Sequence, residues 1–280
     1  LHYVTFLEHL LQLCTSNNTN LLELLFTIKS KIEEEIDNNM DNSYFNQYIA
    51  KTIEEWNLDI YPENIFNESK DDYDYNNFVD NIYLVDSGAQ YYDGTTDITR
   101  TIIIGKATDE QKDRFTRVLK GHISLSNHIF KKGTTGTEID YLARESLNEI
   151  GCDYDHGTGH GVGSFLSVHE APQRIARKNM FDSVELLPGM IISNEPGYYK
   201  LNDYGIRIEN LILVREAQNN LLFFENLSWC PIDRDLINKN LLNEKEVKWL
   251  NSYHKNVYNK LNIYLNDNEK KWLKLNTEPL

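Results

Sequence analysis

Apolar residues recur along the chain with two different periods, which divide it into predicted helices and predicted strands. Steps of three and four residues are typical of a helix with one buried face. The helices predicted from these steps cover residues 3–13, 21–36, 44–56, 108–130 and 138–150. Gly151 follows the last helix and is a typical helix stop. Residues 57–81, rich in Asn, Asp, Glu and Tyr, are predicted to be irregular.

Two short β-branched runs enclose a glycine-containing segment and are predicted as neighbouring strands. One run leads into Asp86 and the other leads away from Asp97, and Ser87-Gly88 and Asp93-Gly94 are turn signals. The strands should therefore aim both carboxylates at one place, where they would repel each other unless a cation lay between them. A metal site and an acid/base pair are two explanations, and a pair of ordinary turn aspartates is the third.

Three histidines alternate with four glycines in the stretch HGTGHGVGSFLSVH, residues 156–169. Glycine lets the backbone come close to a ligand, so His156, His160 and His169 could point at a common centre. The alternative is a surface loop that happens to contain histidines. His122 and His128, in the predicted helix 108–130, are instead interpreted as solvated or core-edge residues.

Two further acids follow strand-like segments. An apolar run leads into Glu195, and Pro196 follows it directly, while Glu209 is predicted to lie within a strand that has one apolar face. A carboxylate in such a strand is costly to bury unless it is paired or bound to a cation. Arg207 lies two positions before Glu209 on the same predicted face, so a simple ion pair is the alternative to a cation site.

Composition excludes several classes of function. The 280 residues suffice for one large domain or two small ones. A net charge of -15 with pI near 5.0 argues against nucleic acid or an anionic membrane as partner. Three widely spaced cysteines predict neither a disulfide framework nor a thiolate zinc site, which fits a reducing, cytoplasmic location. No apolar run reaches the ~18 residues of a membrane span.

Taken together, the candidate residues form a set of four carboxylates and one imidazole. The five are Asp86, Asp97, His160, Glu195 and Glu209. Such a set suits two divalent cations, with manganese, cobalt or zinc favoured over a thiolate-bound metal. Two cations could share a hydroxide whose lowered pKa lets it attack a carbonyl at neutral pH. Their charge would also offset the four acids, which explains how these can be buried.

The motifs that carry these residues closely resemble the catalytic domain of the aminopeptidase P (Xaa-Pro aminopeptidase) family. They are VDSGAQYYDGTTDITRT, HGTGHGVGSFLSVHE, NEPGYY and GIRIEN, followed by CPIDRDLI and EVKWLNSYH. The resemblance runs from about residue 81 to residue 254. This family belongs to the creatinase and methionine aminopeptidase superfamily, so the resemblance implies an α/β pita-bread fold with a curved, mainly antiparallel sheet and outer helices.

The resemblance also implies a role for each site residue. Asp86 would hold one metal, His160 and Glu195 the other, and Asp97 and Glu209 would bridge the two. His156 and His169 match non-ligand histidines that contact the substrate and the developing oxyanion, and Arg207 matches an arginine that braces a bridging carboxylate. Glu195 would also shuttle the proton. The metal ions would be two, with manganese expected first.

The chain departs from the family pattern in two ways. Long cytosolic members carry two further domains before the catalytic one, so this chain corresponds to the last third of such an enzyme. Members also have an active-site histidine on a strand about twenty residues before the first ligand aspartate. Here no histidine occurs between His9 and His122, and the irregular stretch 57–81 stands where that strand is expected. Catalysis is therefore expected to be weakened.

The sequence thus predicts a pita-bread catalytic domain over residues 1–235 and a helical tail over residues 236–280. Its expected reaction is hydrolysis of the amino-terminal Xaa-Pro bond of peptides. A prolidase, which cuts Xaa-Pro dipeptides, and an inactive binding protein of the same fold are the alternatives. A narrow apolar stripe from Val247 to Tyr264 is interpreted as packing within the domain, while the resemblance to dimeric members implies a homodimer.

Overall fold

The computed structural model describes residues 81–178 and 184–280, which lie within one compact unit, Val79–Leu280. The three helices predicted before residue 57 and nearly all of the irregular stretch 57–81 lie outside the described residues. So does the expected position of the missing family histidine.

The described residues contain ten strands and five α-helices, joined by turns and loops. The strands are β1 (Asn81–Tyr91), β2 (Gly94–Ile104), β3 (Ile129–Lys131), β4 (Gly159–Gly161), β5 (Glu170–Ile175), β6 (Ile191–Asn194), β7 (Gly197–Tyr199), β8 (Gly205–Arg207), β9 (Asn210–Glu216) and β10 (Leu221–Asn226). The helices are α1 (Asp109–Ser126), α2 (Gly136–Ile139), α3 (Tyr141–Asn148), α4 (Glu244–Leu261) and α5 (Asp267–Asn276). Short 3₁₀ turns span Lys239–Leu241 and Asn262–Tyr264.

The strands form three antiparallel sheets. The largest has six strands in the order β3-β10-β9-β6-β4-β5, while β1 pairs with β2 and β7 pairs with β8. The expected mainly antiparallel α/β architecture is therefore present. It places β4, β6 and β9, which carry or adjoin three of the candidate ligands, side by side.

The β1–β2 hairpin is longer than the sequence predicts. Asn81 pairs with Ile104 and Tyr91 pairs with Gly94, leaving a two-residue turn at positions 92–93. Ser87 and Gly88, predicted as a turn, lie inside β1, so that prediction is wrong. Their turn propensity is overridden by continuous pairing with β2.

Helix α1 begins where the sequence predicts but ends earlier. Thr108 caps it through a reciprocal capping box with Gln111. The helix was predicted to reach Phe130, yet it ends at Ser126 because residues 129–131 pair with β10 instead. The predicted helix 138–150 is present as two pieces, α2 and α3, joined at Asp140, and Gly151 follows with a φ of 71°.

Two apolar cores support the sheets. Helix α1 contributes Phe115, Val118 and Leu119 to one core, and α4 packs into the same core through Leu250 and Val257. The central residues of the predicted apolar stripe, Leu250, His254 and Val257, are thus buried within the chain, whereas Tyr264, beyond the end of α4, is 79% exposed. Among residues 81–178 and 184–280, no helix has the length and apolar character needed to cross a membrane.

Candidate metal centre

The register of the β1–β2 hairpin explains why Asp86 and Asp97 meet. Asp86 lies opposite Thr99 and Asp97 lies opposite Gly88, and directly paired residues share one face of a sheet. Because Asp86 and Gly88 are two positions apart, all four residues lie on that face. The acids were predicted at strand ends; they lie within the strands. Gly88 is needed there, since a Cβ would come within 2.9 Å of the Thr96 carbonyl oxygen.

Six side chains offer donor atoms close enough to share metal ions. They form three overlapping groups, in each of which the donor atoms lie within 4.8 Å of one another: Asp97, His160 and His169; His160, Glu195 and Glu209; and Asp86, Asp97 and Glu209. All five predicted ligands occur in these groups. The sixth, His169, was predicted to contact substrate, and its donor nitrogen lies within 4.8 Å of the donor atoms of Asp97 and His160.

Glu209 lies at the buried end of this cluster. It was predicted within a strand, but it occupies the break between β8 and β9 and is only 2% exposed. Its amide donates to the Thr99 carbonyl at 3.1 Å, and the Thr99 hydroxyl donates to its Oε2 at 2.6 Å. Burial, together with the neighbouring charges of Glu195 and Asp97, raises the pKa of Glu209 to about 8.

Glu195 directly follows β6 and is held from two sides. Its amide donates to the Thr158 carbonyl at 2.8 Å, and its Oε1 accepts from the Ser193 hydroxyl at 3.0 Å. Burial raises the pKa of Glu195 to about 7, despite the opposing effect of nearby His160. Two of the acids thus hold protons near neutral pH when nothing else neutralises the cluster.

The His160 ring has the orientation of a ligand. Its Nδ1 lies 3.0 Å from the Gly161 carbonyl and donates to it, which leaves Nε2 facing Asp97 at 3.4 Å and Glu195 at 3.3 Å. Burial lowers the pKa of His160, but the hydrogen bond to Asp97 and the Glu195 charge outweigh it and raise the pKa overall. These side chains fit divalent cations, because positive charge would replace the protons that the buried acids otherwise need.

The other two histidines flank this ring differently. The His169 ring lies edge-on to His160, with centroids 4.2 Å apart, and is exposed. His156 precedes His160 in the same loop. Its Nδ1 donates to the Gly157 carbonyl at 2.8 Å, and its Nε2 lies 2.9 Å from the Tyr199 hydroxyl. Burial lowers the pKa of His156.

Arg207 contacts a different acid from the one its sequence position suggests. Its Nη2 donates to Asp86 at 2.5 Å and its Nε donates to the Thr99 hydroxyl at 3.1 Å. Thr99 in turn donates to Glu209, so Arg207 reaches that carboxylate through a hydroxyl group. The alternative of a local Arg207–Glu209 ion pair does not match these contacts.

Two residues of the site were missed by sequence reasoning. Tyr199 joins His156 to Arg207 through its hydroxyl, and Arg100 is buried behind the cluster, where its Nη1 donates to the Glu209 carbonyl at 2.6 Å. The only sequence signal for Arg100 is a charged residue in the apolar run ITRTIII. Tyr199 lies in the quoted NEPGYY motif. His122, interpreted as solvated or core-edge, is completely buried beside Asn194 and Asn210.

Carboxylates and histidines gathered on antiparallel strands, or directly beside them, define a metal-site protein of mixed α/β class. Comparison with known families shows which family the chain belongs to. The chain belongs to metallopeptidase family M24, whose model matches residues 62–216; residues 220–280 match the C-terminal region of peptidase M24. The probable Xaa-Pro aminopeptidase P of Coprinopsis cinerea is 49% identical over 210 residues, covering 72% of this chain and 34% of that protein. Its namesake from Botryotinia fuckeliana is 49% identical over 208 residues, covering 71% and 32%.

A solved structure is similar over the same part of the chain. The X-prolyl aminopeptidase of Caenorhabditis elegans, described as a cytosolic enzyme with a di-nuclear active site, matches with a TM-score of 0.68 and 40% identity. The match covers 71% of this chain and 34% of that one. The expected pita-bread fold is therefore confirmed. The chain spans about one third of the length of these relatives.

Proposed function

We propose that this chain forms the catalytic part of a metal-dependent aminopeptidase that hydrolyses the bond between an amino-terminal residue and a following proline. The observation that carries the proposal is the cluster of four carboxylates and two imidazoles, in which the buried Glu209 and the partly buried Glu195 have strongly raised pKa values. Such a cluster is costly without cations and is well suited to holding them. Membership of family M24 and the similarity to X-prolyl aminopeptidases supply the reaction class.

The proposed metals are two divalent cations, with manganese first and zinc or cobalt as alternatives. Asp86 would belong to one metal, His160 and Glu195 to the other, and Asp97 and Glu209 to both. Glu209 belongs to two of the three donor groups, and these two groups together contain the other four proposed ligands. This is expected for a ligand that both metals share. Bound cations would polarise the scissile carbonyl and supply a water-derived nucleophile at neutral pH.

The remaining chemistry would fall to the chain's own side chains. Glu195, with a pKa near neutrality and a hydrogen bond from Ser193, is the proposed proton carrier between nucleophile and leaving amine. His169 is exposed beside His160 and could donate to the developing oxyanion. His156 and Arg207, joined through Tyr199, would orient the substrate.

The proposal is tested by peptide turnover with the full chain and added Mn²⁺. Arg-Pro-Pro should release arginine, whereas Arg-Ala-Ala should not, and Glu209→Gln should abolish release. The matched control is Glu225→Gln, which should leave turnover unchanged because Glu225 is an exposed carboxylate on β10 that pairs with Arg215. Cleavage of Arg-Pro but not Arg-Pro-Pro would identify a prolidase. Bound metal without any turnover would indicate an inactive binding protein.

Metal stoichiometry gives an independent test. Elemental analysis after manganese loading should return two equivalents per chain, and Asp97→Asn should remove both together, since Asp97 is a proposed bridge. A repeatable value near zero in folded protein would contradict the dinuclear centre.

We further propose that turnover is weak, because the interval between His9 and His122 lacks the family's upstream histidine. Loss of one such donor typically costs on the order of a hundredfold in turnover. Grafting the family's Ile-His-Tyr strand in place of residues 57–72 should raise kcat/KM on an Xaa-Pro peptide. Equal turnover before and after the graft would mean that another group, such as His156, performs this role.

The domain limits, the oligomeric state and the location are part of the same proposal. Residues 1–235 would form the catalytic domain, and residues 236–280 the helical tail. The chain is proposed to act in the cytoplasm, as the Caenorhabditis elegans enzyme is described to do, and to form a homodimer. Light scattering that shows only monomer at micromolar concentration would remove the dimer.

A further inference from the structure

Thr158 lies between His156 and His160 and is completely buried. Its hydroxyl donates to Asp140 Oδ1 at 2.5 Å. Because a hydroxyl has a single hydrogen, the Tyr154 hydroxyl, also 2.5 Å away, must be the donor in that second contact. The Thr158 carbonyl accepts from the Glu195 amide at 2.8 Å. One threonine therefore connects the histidine loop to helix α3, to Tyr154 and to the strand end that carries Glu195.

The carboxylate that receives the Thr158 hydroxyl is itself fixed by a buried arginine. Arg144 is 3% exposed, and its Nε donates to Asp140 Oδ2 at 2.7 Å. Its other nitrogens donate to the Tyr154 carbonyl at 2.6 Å and to the His156 carbonyl at 2.8 Å, and its guanidinium lies 3.9 Å from the centre of the Tyr154 ring. Asp140 and Arg144 thus hold the loop both directly and through Thr158.

The loop needs support of this kind because glycines flank the threonine on both sides. Gly157 and Gly159 provide no side-chain packing, and a Cβ at Gly159 would come within 2.0 Å of the Ser193 carbonyl oxygen. Glycine also has more backbone freedom than other residues, so its conformation must be fixed by neighbouring groups. Between the two histidines, Thr158 is the one residue that can provide side-chain contacts.

We propose that Thr158 is a positioning residue for the metal centre, with Asp140 and Arg144 as its support. It fixes His160 relative to Glu195, and so sets the spacing of the proposed second metal's two ligands. This inference rests on the proposed function, in which both residues hold a metal. Partners of metal ligands typically change metal affinity by 10–100-fold when they are lost.

Paired substitutions separate positioning from general stability. Thr158→Val keeps the shape and removes the hydroxyl, whereas Thr158→Ser keeps the hydroxyl. Thr116→Val is the matched control, because Thr116 is also completely buried and its hydroxyl also makes two hydrogen bonds, to Lys112 and Asn238, away from the site. Tyr154→Phe removes only the tyrosine hydroxyl that contacts the Thr158 hydroxyl. It replaces Thr158→Val as the test variant if Thr158→Val does not fold.

Mn²⁺ titration calorimetry of the full chain is the first measurement. Thr158→Val should weaken one of two binding events about tenfold or more, Tyr154→Phe should weaken the same event less, and Thr158→Ser should resemble the unsubstituted chain. Thr116→Val should lower thermal stability without changing affinity. Equal affinities in Thr158→Val and the unsubstituted chain would overturn the inference.

Imidazole ¹⁵N resonances of the metal-free chain are the second measurement. Thr158→Val should shift the His156 and His160 signals, whereas Thr116→Val should leave them in place. This result does not depend on metal. If the unsubstituted chain binds no Mn²⁺, the proposed function fails, while the histidine signals still decide whether Thr158 positions the loop; unshifted signals would refute that role.

Discussion

The Tyr199 hydroxyl lies 2.9 Å from His156 Nε2 and joins this imidazole to Arg207, whose Nη1 donates to the same hydroxyl at 2.9 Å. His156 Nδ1 lies 2.8 Å from the Gly157 carbonyl, which can only accept, so Nδ1 carries a hydrogen. Burial lowers the pKa of His156 and so favours the neutral ring. In the neutral ring Nε2 is an acceptor, so the Tyr199 hydroxyl donates to it.

Tyr199→Phe should reduce kcat/KM on Arg-Pro-Pro about tenfold, since a hydrogen bond to an ionised group contributes about 1.5–3 kcal/mol and this hydroxyl joins Arg207 to His156. Stability should change little, because Tyr199 is 44% exposed. Steady-state kinetics and thermal unfolding measure the two quantities. Tyr141→Phe, an exposed tyrosine on α3, is the control; an equal kinetic loss there would rule out a specific role.

Manganese affinity should increase as the pH is raised from about 6 to 8. Burial and neighbouring acids raise the pKa of Glu209 to about 8, so at neutral pH a binding cation must displace its proton. Calorimetry in buffers of different ionisation enthalpy should detect proton release. The number of protons released per Mn²⁺ should fall above pH 8, where Glu209 is already ionised. Binding without release of protons at pH 7 would contradict the prediction.

How much of the site can be predicted depends on whether its contacts are local. The five proposed ligands could be found because each acid or histidine interrupts an apolar or glycine-rich pattern. The sequence suggests Glu209, two positions away, as a partner of Arg207. In the structure Arg207 instead pairs with Asp86, more than a hundred residues earlier, and more distantly with Glu195 at 3.8 Å. Pairings of that kind depend on how separate sheets pack, which no local period records.

Long-range contacts also explain why some secondary-structure elements were predicted wrongly. Phe130 fits the helical period of α1, but its pairing with Leu222 in β10 makes it part of a strand. Glu209 fits a strand period, but the chain breaks there so that its amide can bond to Thr99. Long-range pairing overrode local propensity in both cases.

Arg100→Lys should lower the free energy of unfolding by about 3 kcal/mol, the typical cost of breaking a buried charged network. The Arg100 guanidinium donates to six oxygen atoms and is 3% exposed, and a lysine has neither the planar shape nor enough donors to replace it. Urea denaturation measures the loss. Arg215→Lys, at an exposed pair, should cost less than about 1 kcal/mol; similar losses would show that the network is unimportant.

Acid should destabilise the chain through His254. Burial, with the nearby charges of Arg234 and Arg100, lowers the pKa of His254 to about 4 from 6.5. The unfolded chain therefore takes up a proton in this pH range that the folded chain does not. The stability is fully present above pH 6.5 and is lost as the pH falls toward 4, by about 3 kcal/mol in total.

Urea denaturation at several pH values tests this. The curve of stability against pH should be flatter for His254→Gln than for the unsubstituted chain. His128→Gln, at a half-buried histidine, should change the curve less. Parallel curves for His254→Gln and the unsubstituted chain would show that His254 does not titrate differently on folding.

The paired register of β1 and β2 limits where this hairpin can change in length. Side chains alternate between faces, so one residue inserted between Asp86 and Tyr91 would turn Asp86 away from Asp97 unless a bulge absorbed it. The same residue inserted at positions 92–93 would only enlarge the turn. Insertions and deletions that preserve the paired acids are therefore confined to the hairpin's tip, where a peptide tag or a spectroscopic label could be introduced.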